Sequence, residues 1–227
     1  MSETTAPPRQ LPLDLPWSAD ARAGRADFIE AACNEAARVA LAAPWPQGRL
    51  LLAGPEGSGK THLALIRAAE AGARFLDLAA LTKGGARAAA TLGEVIVEDL
   101  DRRLAPDAEV PLFHLLNLAA EGECRVLMTA RVPPSRWTVG LRDLASRLGA
   151  TALAPLSRPD DTLLSRLVEK LLADRALRHD ARLPGYVAKR IERSFAAAQT
   201  AVEALDAAAL ASGRPVSVAM AREALGW

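Results

Sequence analysis

Leu50-Leu51-Leu52-Ala53-Gly54-Pro55-Glu56-Gly57-Ser58-Gly59-Lys60-Thr61-His62-Leu63-Ala64-Leu65 decides the fold of this chain. An apolar run suited to a buried strand leads into G-x-x-x-x-G-K-T, and a helical pattern follows without a break. Glycines let backbone N–H groups approach an anion closely, and the head of a helix adds its partial positive charge. Lys60 supplies a point charge for terminal phosphates and Thr61 a hydroxyl for magnesium. A glycine-rich turn beside a surface lysine would account for less of this pattern, because the full motif stands between strand and helix.

Outward from the loop, strand character recurs at 74–78, 94–97 and 125–129, and more weakly at 151–156. Helical spacing fills 61–71, 111–121 and 141–148, and a helix over 26–42 ends at Pro44 and Pro46. Alternation of strand and helix predicts a parallel sheet covered on both faces. After Ser157-Arg158-Pro159 the pattern becomes helical throughout, over 160–177, 184–193, 195–212 and 217–225. The expected organisation is a tail over 1–22, a nucleotide-binding α/β domain over 23–157 and an all-α module over 158–227.

The second chemical signal is Val95-Ile96-Val97-Glu98-Asp99-Leu100-Asp101. Acids that close a buried strand are ordinary turn residues when they stand alone. Beside a phosphate loop they are candidates for the magnesium shell and for orienting water, with the division between Glu98 and Asp99 left open. Thr129 ends Arg125-Val126-Leu127-Met128, where it either caps the strand or faces the phosphates at the carboxyl end of the sheet. Arg147 sits late in a helix, placed to favour the helix dipole or to act as an arginine finger on a neighbouring subunit.

Composition sets limits. The 227 residues carry a formal net charge of +1, which gives no general electrostatic drive toward nucleic acid or an anionic membrane, although local basic patches remain open. Aromatics make up 4%, so Ala and Leu must form most of the core. Cys33 and Cys124 are far apart and fit no metal spacing, which predicts reduced thiols and a reducing compartment. No signal peptide or membrane span is read from Met1 to Pro8, so a cytoplasmic protein without membrane contact is expected.

The order of phosphate loop, acidic strand end, polar strand end, Ser-Arg-Leu helix and helical module resembles the AAA+ ATPases, within them the DnaA-like group and its Hda branch. The likeness is carried by Gln10 to Leu15, Gly54 to Leu63, Val95 to Asp99, Thr129, Leu141 to Gly149 and Ala204 to Ala209. It implies a P-loop AAA+ fold with a five-stranded parallel sheet flanked by helices, followed by a small all-α lid. It also implies that Gly54, Pro55, Glu56, Gly57, Ser58, Gly59, Lys60, Thr61 and His62 bind ADP or ATP, and that Thr61, Glu98 and Asp99 hold Mg2+. Glu98, Asp99, Thr129 and Arg147 are the catalytic candidates, with Arg147 acting in trans. Whether the chain turns over its own ATP is left open.

In this group Gln10, Leu11, Leu13 and Leu15 would dock on the sliding clamp, the beta subunit of DNA polymerase III. An extended Gln-Leu-x-Leu-x-Leu peptide offers one hydrogen-bonding group and three apolar anchors. Those leucines would otherwise pack on the parent domain. The second implied partner is DnaA, whose ATP hydrolysis would be promoted, and self-association is also open. No DNA-reading helix-turn-helix follows the lid helices before Trp227, so direct sequence-specific DNA binding is not expected. Two departures from the group matter: Glu98 replaces the usual aspartate, and the lid arginine position falls on Ala196. Arg193 lies about one turn earlier, either serving from there or leaving the sensor absent.

Overall fold

The computed structural model describes residues 28–81 and 84–227. The predicted tail over 1–22, with Gln10, Leu11, Leu13 and Leu15, lies outside the described residues.

The first unit comprises Asn34–Pro55 and Lys60–Leu156 together with Phe28. Its elements in chain order are α1 (Ala32–Ala42) from Asn34 on, β1 (Arg49–Ala53), α2 (Lys60–Ala71), β2 (Arg74–Phe75), α3 (Gly85–Ala90), β3 (Glu94–Val97), α4 (Leu100–Arg103), α5 (Pro106–Ala120), β4 (Arg125–Ala130), α6 (Arg142–Gly149) and β5 (Ala152–Pro155). The five strands run parallel in the order β2-β3-β4-β1-β5. Register places Leu52 beside Thr129 and beside Ala154, so the end of β1 has the ends of β4 and β5 on its two sides.

Every residue of β1 is buried, as expected of a strand covered on both faces. Alternation sends Leu51, with Val95, Val97, Val126 and Met128, toward α3, α5 and α6. Leu50 and Leu52, with Ile96 and Leu127, pack on the opposite face with Leu63 and Ala64 of α2 and Ala37 of α1. Each fully buried leucine contributes roughly 1.5–3 kcal/mol, which makes the sheet a stiff platform for the loops at its carboxyl ends.

Three departures from the sequence expectation have physical causes. The strand expected over 74–78 is ladder only at Arg74–Phe75, because Asp77 accepts from the Ala79 N–H at 3.1 Å and caps a short 3-10 turn over Leu78–Ala80. The helix expected from Pro111 begins at Pro106, with Pro111 inside it. Burial of Leu112, Leu115, Leu116 and Leu118 offsets the lost hydrogen bond. The alanine-rich Gly85–Ala90 forms α3, whose Ala86, Ala89 and Ala90 pack tightly on the core.

The second unit comprises Ser157–Trp227 with Ile29–Cys33 and the loop tip Glu56–Gly59. Its helices are α7 (Asp161–Asp174), α8 (Leu183–Ala188), α9 (Phe195–Ser212) and α10 (Val218–Ala224). The side chains of Asp160, Ser194 and Ser217 accept backbone N–H bonds from Leu163, Ala197 and Met220, capping α7, α9 and α10. Leu164, Val168, Leu172, Leu183, Val187, Val202 and Leu205 form a core of their own. No helix among the described residues is long and apolar enough to cross a membrane.

Candidate phosphate and carboxylate site

Gly54 follows β1 and its N–H donates to the Ala130 carbonyl at 3.1 Å, tying the start of the loop to the end of β4. Gly57 and Gly59 adopt φ of 73° and 94°, a region that glycine enters without strain. Within the helical unit a Cβ on Gly57 would stand 2.5 Å from the Ser194 Cβ, and one on Gly59 would stand 3.3 Å from the Phe195 ring. These two glycines therefore meet a packing demand as well as a dihedral one.

Lys60 opens α2 and is 7% exposed. Its Nζ donates to the carbonyls of Gly54 at 2.7 Å and Pro55 at 2.8 Å, so the ammonium is already drawn into the loop's concavity. Ser58 is buried, and its Oγ has no partner among the described residues.

At the end of β3, the Glu98 carboxylate accepts a hydrogen bond from the Thr61 side chain at the head of α2. Burial raises the Glu98 pKa above its ordinary 4.5, and the negative charge of Asp99 raises it further; Thr61, Arg103 and Lys60 act in the opposite direction. One of its oxygens, Oε1, is buried without a partner. A desolvated carboxylate with an orphaned oxygen beside a threonine hydroxyl is a donor set that suits a hard dication. Among the described residues no group of three or more His, Cys, Asp or Glu is placed to hold a metal, so magnesium here would draw its other ligands from phosphate and water.

Asp99 adopts φ 50° and ψ 42°, a left-handed conformation, and its N–H donates to Thr129 Oγ1 at 3.0 Å. Thr129 is 1% exposed, so its first structural task is to hold that kinked turn. The strand ends are joined a second time by the Arg131 N–H, which donates to Asp101 Oδ2 at 3.2 Å. The other oxygen of Asp101 is buried and unpartnered, which adds a third acid to the rim that the motif reading had not singled out.

Arg147 lies in the last turn of α6, and its guanidinium carbon is 5.6 Å from the Phe113 ring centroid. Its backbone carbonyl accepts from Thr151 Oγ1 at 2.9 Å. At the other end of α6 the Glu109 carboxylate accepts from the N–H groups of Gly140 and Leu141 at 2.9 and 2.6 Å, fixing where the helix begins. Arg49, buried at the start of β1, bonds Gln47 Oε1 and leaves Nε and Nη1 without partners. Burial and the charge of Arg147 both lower its pKa. Glu109 and Arg49 carry no motif, and only the contact geometry singles them out.

The structure brings Lys60, Thr61, Glu98, Asp99 and Thr129 together at the carboxyl ends of the strands within the α/β unit. Arg193 lies in the helical unit, where it pairs with Asp161 at 3.0 Å. His62 packs edge-on against Phe28 with ring centroids 5.6 Å apart. Cys33 and Cys124 are both free thiols.

No family model and no curated protein matches the chain. Solved structures do. Domain III of the replication initiation protein DnaA of Thermotoga maritima is similar with a TM-score of 0.70 and 17% identity, the match covering 88% of this chain and 94% of that one. The RuvB Holliday junction branch migration motor of Thermotoga maritima gives a TM-score of 0.65 and 19% identity, covering 78% of this chain and 61% of that one. AMPPCP-bound DnaA from Aquifex aeolicus gives 0.66 and 14%, covering 78% and 62% respectively. The fold is therefore that of the P-loop AAA+ domains of DnaA and RuvB, a five-stranded parallel sheet flanked by helices with a helical region after it.

Proposed function

We propose that this chain is an adenine-nucleotide-binding regulator of replication initiation of the Hda type, which binds the sliding clamp through Gln10 to Leu15 and stimulates ATP hydrolysis by DnaA. The nucleotide half of the proposal rests on one observation, the Lys60 Nζ drawn into the glycine loop by the Gly54 and Pro55 carbonyls at 2.7 and 2.8 Å. The likeness to DnaA, including a form with an ATP analogue bound, supports adenine as the base.

Lys60 holds the Gly54 and Pro55 carbonyls, bonds it would exchange for phosphate oxygens when a nucleotide enters. Thr61 and Glu98 would hold magnesium, which when bound neutralises phosphate charge. Asp99, whose backbone N–H is held by Thr129, would orient water or the metal's hydration shell. Arg147 completes the catalytic site of a neighbouring DnaA rather than its own, supplying positive charge to the transferring phosphoryl group. ADP suits this role, because the chain then acts as a nucleotide-ordered adaptor.

The retained set of Lys60, Thr61, Glu98, Asp99 and Thr129 also favours a second reading, an autonomous ATPase that loads or remodels replication proteins. One experiment separates the two. Arg147→Ala is expected to abolish stimulation of DnaA's ATPase while nucleotide and clamp binding persist, and Gln10→Ala with Leu11→Ala to abolish clamp binding. Unimpaired stimulation by the Arg147 variant removes the adaptor reading, and brisk ATP turnover by the chain alone supports the second.

A further inference from the structure

The helical unit carries a surface cluster that none of these steps uses. On α8, Tyr186 is held between two guanidinium groups. Arg190 places its guanidinium carbon 3.6 Å from the ring centroid and donates to the Tyr186 carbonyl at 3.1 Å. Arg222 of α10 donates through Nε to the Tyr186 hydroxyl at 2.9 Å. The Trp227 ring lies 5.9 Å from that of Tyr186, tilted by 54°, and its backbone N–H donates to the Arg222 carbonyl at 2.9 Å. Trp227 is 40% exposed, and Lys189, Arg190 and Arg222 are exposed with it.

Among the described residues the ion pairs of this unit are made by Lys170, Arg175, Arg182 and Arg193, so Lys189, Arg190 and Arg222 keep their charge unneutralised. Glu192 and Glu223, the acids next to them in the chain, pair with none of the three. Arg190 and Arg222, at 3.6 and 5.6 Å from the same Tyr186 ring centroid, repel each other, and a large indole left partly in water forgoes burial. The fold of the unit requires neither, since its core is complete without them.

The combination selects a ligand chemistry. Cations arrayed beside an exposed aromatic face suit a chain that alternates phosphates with flat rings, where phosphates meet the guanidinium groups and a base stacks on the indole. A duplex keeps its base faces covered, and an acidic peptide would use the cations while leaving the ring without a partner. We propose that this face of the helical unit binds single-stranded nucleic acid without sequence preference. The proposal is independent of the nucleotide site.

The test is fluorescence anisotropy of a labelled oligothymidylate with the full chain at low salt. Wild type is expected to bind, with affinity falling steeply as salt rises. Trp227→Ala should weaken binding by roughly 5- to 100-fold. Arg190→Glu with Arg222→Glu should weaken it by more than about tenfold and reduce the log–log salt slope by about 1.4, the share of two phosphates on a single strand. Should the double reversal fail to melt like wild type, Arg222→Gln serves in its place. Lys60→Ala should bind the oligonucleotide as wild type does, which separates this face from the phosphate loop. Absence of binding at low salt overturns the proposal, as does undiminished binding by Trp227→Ala. Equal binding of a polyglutamate peptide would assign the face to an acidic protein segment and overturn it likewise.

Discussion

Replacing Thr129 by valine removes a single oxygen at a buried position while keeping the shape of the side chain. The lost atom is the acceptor for the Asp99 N–H at 3.0 Å. A backbone donor left without a partner costs about 1–3 kcal/mol. Asp99 sits at φ 50°, and release of that left-handed conformation returns roughly 1 kcal/mol to the variant, which leaves a net loss of at most about 2 kcal/mol. In a domain of this size each kcal/mol lowers Tm by about 2–4 °C, so a fall of no more than roughly 8 °C is expected. Thermal melting followed by circular dichroism measures it. Amide exchange supplies the local test, because protection of the Asp99 N–H should fall by at least about tenfold in Thr129→Val relative to its neighbours and persist in Thr129→Ser. Equal Asp99 protection in wild type and Thr129→Val would refute the assignment of Thr129 as the residue that holds this turn.

Three more expectations address the site. Lys60→Ala removes a charged donor from the phosphates and should weaken ADP binding by about 10- to 150-fold in calorimetry. The pKa of Glu98 is raised by burial, so ionising it costs stability as pH climbs from the ordinary carboxylate value of 4.5 through the raised one. Magnesium must displace that proton, and magnesium-dependent ADP affinity should therefore rise with pH over the same window and level off above it; a pH-independent affinity in wild type, or the same pH dependence in Glu98→Gln, would exclude the carboxylate as the metal's partner. Arg193→Ala breaks an ion pair with Asp161 that is exposed on both sides; a loss of ADP affinity within about twofold assigns Arg193 to that pair alone, and a larger loss makes it a nucleotide contact.

The phosphate loop and the sheet were legible because each rests on a local rule. The apolar strand, the glycines and Lys60 are contiguous, and alternation of strand and helix specifies a parallel sheet. Glu98 and Thr61 could be paired in advance because a phosphate site needs both. What the sequence did not disclose depends on residues far apart in the chain. Glu109 caps α6 from across more than 30 positions, and nothing near it distinguishes it from a surface acid. Arg49 opens a buried strand, where Gln47 Oε1 accepts one of its N–H bonds while the like charge of Arg147, far along the chain, lowers its pKa. Thr129 was expected to cap its strand or face the phosphates, and its contact with the Asp99 amide is tertiary. α3 was obscured by alanine, which signals helix without showing which face is buried.

The central claim is that the loop ahead of Lys60 converges on a polyphosphate, and the direct measurement is calorimetric titration of the folded, nucleotide-stripped chain with ADP in the presence of magnesium. Saturable binding near one nucleotide per chain, weakened by Lys60→Ala, is the expected result. A folded chain that takes up neither ADP nor ATP would contradict it.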